Sequence, residues 1–357
     1  YSSPQSSKVV VTSVVSTRFL ASRIINQLHC WWSYALSLFG VVRVHHLPTF
    51  VSVEPANICQ LRCPECPVGM WNNESRIRSQ EQRHISSSDL DRLISMEIFD
   101  RVLEQVQTTA HTMQFYFQGE PLLNKQLPEM IARAHHAGLY TIVSTNAQAL
   151  DKKMADALVK SGLSQIIVSI DGFSEESYTA YRVGGSLHKA LEGLLFLRQA
   201  KDNWHSPIRI ELQVLRLRSN EHEWHWIQCN YKQLGATHLV FKTAQLYDYE
   251  HGNSLMPRNE RYSRYKKGAD GTYRLHRSWL RKKWQANPCF RLWSGCVIST
   301  TGEVLPCCYD KEHQYPLGNV MNQSIANIFQ SEKANMLRNK VLTDKNHLPK
   351  MCKNCNY

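Results

Sequence analysis

The chain has 357 residues, of which 43% are hydrophobic and 20% are charged. These proportions are ordinary for a folded soluble protein and exclude an intrinsically disordered chain, and the length allows one large domain and a smaller one. The net charge of +12 predicts an anionic partner: a phosphate-bearing substrate, an acidic peptide, nucleic acid or an anionic lipid surface. The alternative is a generally basic, solvated surface.

Basic residues concentrate in residues 257–283, where ten Lys and Arg side chains stand against two acids, Glu260 and Asp270. Tyrosines and tryptophans are interleaved with them, a composition compatible with single-stranded nucleic acid. No nucleic-acid-binding signature accompanies it, so nucleic acid is not an expected partner. We interpret residues 251–288 as a basic linker with a substrate-facing or membrane-facing surface.

Residues 1–48 form an N-terminal extension, with a helix predicted over Thr17–Val44. Its longest apolar run is too short to span a bilayer. We expect this helix to pack against the folded domain. The alternative is peripheral membrane contact through residues 18–44, with Trp31 and Trp32 at the interface.

From residue 49 to residue 250, predicted strands and helices alternate. The strands are Thr49–Val53, Met113–Phe117, Tyr140–Ser144, Gln165–Ile170, Ile208–Leu215 and His238–Phe241. The helices are Ser88–Gln107, Lys125–His136, Asp151–Lys160, Ser186–Ala200 and Glu221–Leu234. Six units in series predict an α/β fold with a parallel sheet and right-handed crossovers, a partial (β/α)6 TIM-like barrel. In such barrels the chemistry lies at the C-terminal strand ends.

Cys59, Cys63 and Cys66 follow the first predicted strand with the spacing C-x3-C-x2-C. Three thiolates so close can hold three irons of a [4Fe–4S] cluster and leave the fourth iron free for a small molecule. A zinc site instead needs four ligands, usually in two pairs. A disulfide framework needs an oxidising compartment, and an odd count of 11 cysteines leaves at least one that cannot pair within the chain.

This motif, placed just after an apolar strand, resembles that of the radical S-adenosylmethionine (SAM) enzymes. The resemblance implies that the open iron binds SAM, and that reductive cleavage gives a 5′-deoxyadenosyl radical that abstracts a substrate hydrogen. It also implies an electron donor such as flavodoxin or ferredoxin. Because such clusters need reducing conditions, we expect a cytoplasmic protein. Association with the cytoplasmic side of a membrane would be compatible with this location.

Segments after the second and third strands resemble the SAM-binding motifs of this family. Gly119, Glu120 and Pro121 match its Gly-Gly-Glu segment, which implies that Glu120 binds the SAM amino group. Ser144 and Asn146 match a Thr-Asn-Gly corner near the ribose. Ala147 stands where the family has glycine, so the turn there must differ or be strained.

After the fourth strand, Ser169 and Asp171 match the family's Ser-x-Asp-Gly segment. This implies that Ser169 contacts the ribose or carboxylate of SAM, whereas Asp171 could instead be a structural cap. Arg182 is a candidate partner for the SAM carboxylate, and Leu215 is a candidate shelf for the adenine.

A second set of cysteines lies near the C-terminus. Its pattern resembles the SPASM/twitch module, which implies an auxiliary [4Fe–4S] cluster in residues 289–357. The implied ligands are Cys289, Cys307, Cys352 and Cys355. A zinc ribbon is the alternative.

The remaining cysteines are expected to have other roles. Cys296 is an alternative to Cys289 as a ligand, and Cys308 is expected to be a buried thiol. Cys30 and Cys229 are expected to lie in the core.

Together these motifs predict a radical SAM oxidoreductase that dehydrogenates or oxidatively modifies a small anionic, sugar-like or lipid-linked substrate. The auxiliary cluster would accept the electron left on the substrate; its alternative role is purely structural, holding the C-terminus in place. Asp248, Glu250 and Asp310 are candidate bases. One alternative is a peptide or protein maturase. Another is a non-catalytic iron–sulfur or zinc scaffold that binds an anionic partner.

Overall fold

The computed structural model describes residues 19–78, 92–276, 289–344 and 347–355, and it contains eleven strands in two sheets. The strands are β1 (Phe50–Val53), β2 (Thr112–Phe115), β3 (Tyr140–Thr145), β4 (Gln165–Ser169), β5 (Arg209–Arg216), β6 (His238–Thr243), β7 (Tyr265–Lys267), β8 (Tyr273–Leu275), β9 (Gly295–Ile298), β10 (Glu303–Leu305) and β11 (Gly318–Asn319). The larger sheet has nine strands, and β7 and β8 form a separate antiparallel hairpin within the basic segment.

Helices cover this sheet and connect its strands. They are α1 (Leu20–Ser37), α2 (Pro67–Arg78), α3 (Met96–Val106), α4 (Leu127–His136), α5 (Lys152–Lys160), α6 (Glu175–Thr179), α7 (Leu187–Asn203), α8 (Trp224–Asn230), α9 (Arg291–Ser294), α10 (Ile325–Phe329), α11 (Glu332–Thr343) and α12 (Lys350–Lys353).

Strands β1 to β6 pair in chain order, and every pair is parallel. The predicted partial (β/α)6 barrel is therefore confirmed. Its strands bury apolar side chains such as Met113, Phe115 and Val143. The carboxyl ends of all six strands lie at one end of the barrel, which brings the loops after them together.

Most predicted helices are present, with differences at their ends. Helix α5 begins after Asp151, whose side chain accepts a hydrogen bond from Met154 N, as the sequence indicated. Helix α3 begins at Met96 rather than Ser88, because Ser95 caps it and residues 93–95 are not helical; residues 79–91 lie outside the described residues. The predicted helix 221–234 begins as a 3-10 helix and becomes α8 only from Trp224.

The C-terminal strands continue the barrel sheet beyond β1. Strand β9 pairs in parallel with β1, with Cys296 opposite Val51, and β10 and β11 follow in antiparallel order. The turn between β9 and β10 places Gly302 at a φ of 81°, which glycine adopts without strain. This turn therefore reverses the chain, so that β10 runs antiparallel to β9.

Helix α1 packs on the domain, as expected, but polar side chains make most of the contact. Its buried residues are Arg23, Asn26, Cys30, Ser33 and Ser37. Cys30 is in the core as predicted. The prediction for Cys229 is wrong: this thiol is exposed, because α8 directs only Ile227 into the core. No helix among the described residues is long and apolar enough to cross a membrane.

Candidate active site

The cysteine loop between β1 and α2 is fixed by the helix that follows it. Asn72 Nδ2 of α2 donates hydrogen bonds to Cys59 O at 2.8 Å and to Leu61 O at 2.9 Å. Gly69 lies so close to the loop that a Cβ there would come within 2.3 Å of Cys63 O. Sequence reasoning missed both residues, because nothing local to α2 indicates that its first turns pack on the cysteines.

The three thiols of this loop are free, with Cys63 buried and Cys59 and Cys66 half-buried. Burial raises the pKa of Cys63 to about 11 and also raises the pKa of Cys59. They pack against one apolar cluster that includes Leu61 and Tyr181. A dry enclosure of this kind penalises free thiolates and favours their binding to positively charged iron.

No group of three or more His, Cys, Asp or Glu side chains in the described part of the chain is close enough together to hold a single metal ion. The ligands of a four-iron cluster stand farther apart than those of one ion, because each thiolate binds a different iron. Three uncrosslinked thiols around one apolar enclosure therefore fit a [4Fe–4S] cluster by donor type and by surroundings.

Gly119 and Glu120 connect the loop after β2 to this cysteine loop. A Cβ on Gly119 would lie 2.1 Å from Ala56 O, so only glycine permits the contact. Glu120 N donates to Ile58 O at 2.8 Å. The following Pro121 is buried and begins a short 3-10 helix that Glu120 caps.

The Glu120 carboxylate is 2% exposed and joins the ends of β2 and β3. It accepts hydrogen bonds from Thr145 Oγ1 at 2.6 Å, Asn146 N at 2.8 Å and Leu122 N at 3.2 Å. Burial raises the pKa of Glu120, and these three donors oppose that rise. A carboxylate offers about four acceptor positions, so one remains for a ligand.

The corner after β3 lies beside the first cysteine. Asn146 Nδ2 is 3.4 Å from Cys59 Sγ, and the preceding Ser144 is half-buried in β3. Ala147 has a φ of 61°, in the left-handed region that favours glycine. The strain expected from alanine at this turn is therefore present.

Asp171, Arg182 and Leu215 meet at the ends of β4 and β5. Asp171 Oδ2 accepts from Arg182 Nε at 2.7 Å, and Asp171 Oδ1 accepts from Leu215 N at 2.6 Å. The far end of Arg182 reaches the cysteine loop, with Nη1 4.0 Å from Cys63 Sγ. Ser169, 6% exposed, ends β4 nearby. Asp171 thus clamps Arg182 to the end of β5 in the structure, whereas its role towards SAM stays a prediction.

A buried amide that sequence reasoning missed completes this clamp. Asn220 Nδ2 donates to Asp171 O at 2.9 Å and to Leu215 O at 2.8 Å, and Asn220 Oδ1 accepts from Leu217 N. An asparagine in a short 3-10 helix carries no sequence signal for such a role.

The C-terminal cysteines gather around Tyr309. Burial raises the pKa of Tyr309 to about 12, and the neighbouring Cys355 and Cys308 act in the same direction. The hydrogen bond between the thiols of Cys307 and Cys308 raises the pKa of Cys307 and lowers that of Cys308, and Arg291 lowers the latter further. Cys289 is also close enough to raise the pKa of Cys307.

The positions of the remaining C-terminal cysteines bear on whether Cys289 or Cys296 is a cluster ligand. Cys352 and Cys355 share a tight turn, in which Cys355 N donates to Cys352 O at 3.3 Å. Cys296 is 2% exposed inside β9, away from that turn in the sheet, whereas Cys289 is half-buried next to Cys307. The geometry favours Cys289 over Cys296 as a ligand. Cys308 is half-buried rather than fully buried, and Arg291 Nη1 contacts its Sγ at 3.2 Å.

Lys311 lies near thiols of both cysteine sets, which the sequence did not indicate. Cys66 and Cys308 are both near enough to it to influence its pKa, which burial lowers. Its carbonyl accepts a hydrogen bond from Gln118 Nε2 at 2.8 Å, which joins the loop after β2 to the C-terminal domain.

Beside Lys311 is a cavity of about 540 Å³ that all three candidate bases line. Asp248 and Glu250 are exposed. Asp310 is 2% exposed, and its carboxylate accepts from Gln314 N and Tyr315 N, so it holds the turn that carries Lys311.

Comparison with known families identifies the two halves of this arrangement. The sequence model of the radical SAM superfamily matches residues 53–208, and that of the SPASM iron–sulfur cluster-binding domain matches residues 289–356. The chain belongs to the radical SAM superfamily and carries a SPASM domain. Its cofactors are therefore SAM, a [4Fe–4S] cluster and auxiliary iron–sulfur chemistry in the SPASM domain.

Curated relatives of this radical SAM protein are enzymes of several kinds. The Fe-coproporphyrin III synthase of Methanosarcina barkeri is 28% identical over 143 residues, 39% of this chain and 36% of that protein. The PqqA peptide cyclase of Granulibacter bethesdensis is 26% identical over 218 residues, which are 60% of this chain and 52% of that protein. The GTP 3′,8-cyclase of Hydrogenovibrio crunogenus is 33% identical over 147 residues, which are 41% of this chain and 40% of that protein. The matched part of the chain thus spans about half or less of each relative's length.

Solved structures share the fold of this radical SAM protein. Native anSMEcpe with bound AdoMet superposes with a TM-score of 0.56 at 16% identity, covering 86% of each chain. Streptococcus suis SuiB bound to the precursor peptide SuiA gives a TM-score of 0.51 at 13% identity, covering 90% of this chain and 74% of that one. At such identities the likeness establishes the fold alone.

Proposed function

We propose that this radical SAM/SPASM protein is an oxidoreductase that removes hydrogen from a small anionic or sugar-like substrate, or from a lipid-linked one. The proposed ligands are Cys59, Cys63 and Cys66 for the reducing cluster and Cys289, Cys307, Cys352 and Cys355 for one auxiliary [4Fe–4S] cluster. The reducing cluster, when bound, supplies the electron that cleaves SAM to a 5′-deoxyadenosyl radical. A flavodoxin or ferredoxin in a reducing cytoplasm is the proposed source of that electron.

The loops after β2 to β5 are proposed to bind SAM. Glu120 would accept a hydrogen bond from the amino group with its remaining acceptor position, next to Gly119 and Pro121. The proposed ribose and carboxylate contacts are Ser144, Asn146, Ser169 and Arg182, with Asp171 orienting Arg182 and Leu215 against the adenine. Their convergence on Cys59 and Cys63 supports this assignment.

The observation that carries the oxidative reaction is that the half-buried Lys311 lies near both Cys66 and Cys308, on a loop that Gln118 joins to the barrel. When the 5′-deoxyadenosyl radical takes one hydrogen atom from the substrate and becomes 5′-deoxyadenosine, a two-electron oxidation of the substrate still requires one proton and one electron to leave. An amine with a lowered pKa can accept the proton. The SPASM cysteines near Lys311 would hold the auxiliary cluster that accepts the electron.

Lysines and acids line the adjoining cavity of about 540 Å³, among them Lys311, Lys350 and Glu250. Such mixed charge suits a substrate that carries both an anionic group and hydroxyl groups, since the lysines bind the anion and the carboxylates accept hydrogen bonds. The cavity volume falls in the usual range for small-molecule sites.

A second candidate is a peptide maturase. The PqqA peptide cyclase aligns with 60% of this chain, a larger share than the two other curated relatives described above. In that case the cavity would hold one side chain of a peptide substrate.

Anaerobic reconstitution tests the family chemistry. We expect about eight irons per chain and formation of 5′-deoxyadenosine on reduction with SAM. About four irons with turnover would remove the electron acceptor, and zinc without SAM cleavage would favour the scaffold alternative.

Substitution of Lys311 tests the oxidative step. Lys311→Met should lower product formation about 100-fold and abolish its pH dependence, while SAM cleavage persists. Lys350→Met is the matched control, because Lys350 lines the same cavity but pairs with Glu312 at 2.8 Å. Equal losses in both variants would contradict the role of Lys311.

The substrate class is tested with fractionated cell extract. Stimulation of 5′-deoxyadenosine formation by a dialysable, protease-resistant fraction supports a small substrate. Stimulation that protease treatment destroys supports the peptide maturase.

A further inference from the structure

Helix α1 is attached to the barrel through its polar face. Arg23 donates hydrogen bonds to Gly138 O at 2.6 Å, Gln107 O at 2.7 Å and Ala137 O at 2.5 Å. Asn26 Nδ2 donates to Leu47 O at 2.9 Å, and Asn26 Oδ1 accepts from Leu47 N at 3.0 Å. A surface helix normally buries its apolar stripe and exposes its polar one. In α1 this arrangement is reversed.

The apolar face of α1 is exposed to solvent along its whole length. Trp31 is 55% exposed and Trp32 is 66% exposed, and Phe39 in the following turn is 86% exposed. The other exposed apolar residues of this face are Leu20, Ile24, Ile25, Leu28, Leu38 and Val41. A contiguous exposed surface of this kind marks a contact with a membrane or another protein.

The charges around this face favour an anionic surface. The sequence of α1 contains no acidic residue, and Arg43 and His45 are exposed just after it. The groove beside α1 is lined by neutral and basic residues such as Gln27, His111 and His135. The acids Asp100 and Glu104 line a different groove with Phe19, and Asp100 is paired with Arg133. The chain as a whole carries a net charge of +12.

We propose that α1 docks the protein on an anionic lipid bilayer, lying in the plane of the interface with Trp31, Trp32 and Phe39 among the headgroups. A helix with tryptophans and leucines on its exposed face, without acids, suits this interface. Anionic headgroups complement the net positive charge of the chain, whereas a second copy would bring a like charge.

The docked end is opposite to the candidate active site. The groove beside α1 is lined by His111 and Ser164, which precede β2 and β4, and by Tyr140, the first residue of β3. The cysteine loop lies at the other ends of the strands. Bilayer docking therefore leaves the radical site facing away from the lipid, and this inference holds whatever substrate the site takes.

Flotation with vesicles tests the proposal on the full chain. We expect binding to vesicles of mixed phosphatidylcholine and phosphatidylglycerol, weaker binding to phosphatidylcholine alone, and weakening by salt. Trp31→Ser with Trp32→Ser should reduce binding about ten-fold or more without changing the melting temperature, because both side chains are exposed.

The matched control is Leu195→Ser with Met336→Ser, which removes two apolar side chains that are 47% and 66% exposed on α7 and α11. This variant should bind vesicles like the unaltered chain. Absence of vesicle binding by the unaltered chain, or equal binding by both variants, would overturn the proposal. If the unaltered chain formed a dimer that the tryptophan substitutions dissociated and the control substitutions did not, the exposed apolar face of α1 would be assigned to a second copy of the chain. A large gain of binding on removal of residues 1–18 would assign it to that segment.

Discussion

Arg182 bridges Asp171 and Cys63: its Nε is 2.7 Å from Asp171 Oδ2, and its Nη1 is 4.0 Å from Cys63 Sγ. The side chains of Asp171 and Arg182 are only 1% and 14% exposed. A guanidinium held in this way adds positive charge beside a thiolate that would bind iron.

Asp171→Asn should therefore destabilise the protein by about 2–4 kcal/mol, because it leaves Arg182 largely buried without its anionic partner. Urea unfolding of the iron-free chain would measure this. Asp202→Asn is the control: Asp202 pairs with Arg198 at the same distance of 2.7 Å, but both side chains are exposed, so we expect a change of less than about 0.5 kcal/mol. Similar losses in both variants would contradict the clamp.

Gly119→Ala should displace the cysteine loop, because the added Cβ would lie 2.1 Å from Ala56 O and 2.7 Å from Ile58 O. We expect a loss of about 3 kcal/mol in the free energy of unfolding and a lower iron content after reconstitution. Gly271→Ala serves as the control, since that Cβ meets nothing within 4 Å and only the φ of +80° opposes it, at about 1 kcal/mol. Normal iron content in Gly119→Ala would refute this role for the glycine.

The sequence predicted the barrel well, because its signals are local. The alternation of strand-like and helix-like segments located all six barrel strands. The segments after β2 to β5 lie at the same end of the barrel as the cysteine loop, as expected for the carboxyl ends of parallel strands. Ala147 was identified as a strained position from one missing glycine, and its φ of 61° agrees.

Other features depend on contacts between distant parts of the chain and carry no local signal. The approach of Gly69 to Cys63, the proximity of Lys311 to both cysteine sets, and the pairing of β9 with β1 are of this kind. The reversed orientation of α1 was also invisible, because periodicity defines an apolar face but not which face the domain covers.

Cysteine substitutions should divide the iron content by site. Cys63→Ala should remove about four of about eight irons and abolish SAM cleavage, whereas Cys307→Ala should remove about four and leave SAM cleavage in place. Cys296→Ala should retain all the iron, because this thiol is 2% exposed within β9. If Cys296→Ala lost iron while Cys289→Ala kept all of it, Cys296 rather than Cys289 would be the cluster ligand. Iron loss in Cys308→Ala but not in Cys307→Ala would move the ligand by one position.

Glu54 should make the stability of the protein depend on pH. This carboxyl is fully buried at the end of β1, and burial raises its pKa from 4.5 to about 8; the main opposing contact is a hydrogen bond from Thr300 N to Oε2 at 3.4 Å. Between these two pKa values the unfolded chain releases a proton that the folded chain retains. Its contribution is therefore most favourable below about pH 4.5 and is lost as the pH rises to about 8, at about 1.4 kcal/mol per pH unit.

Glu54→Gln removes this titration while its amide oxygen can still accept from Thr300 N. Relative to the unaltered chain, we expect no gain near about pH 4.5 and a gain of about 2–4 kcal/mol near about pH 7.5, measured by urea unfolding of the iron-free chain at both values. Glu192→Gln on the exposed side of α7 should give no such pH-dependent gain. A constant difference between Glu54→Gln and the unaltered chain at the two pH values would mean that Glu54 titrates alike in the folded and unfolded states, and that burial at the β1–β9 junction does not control its proton.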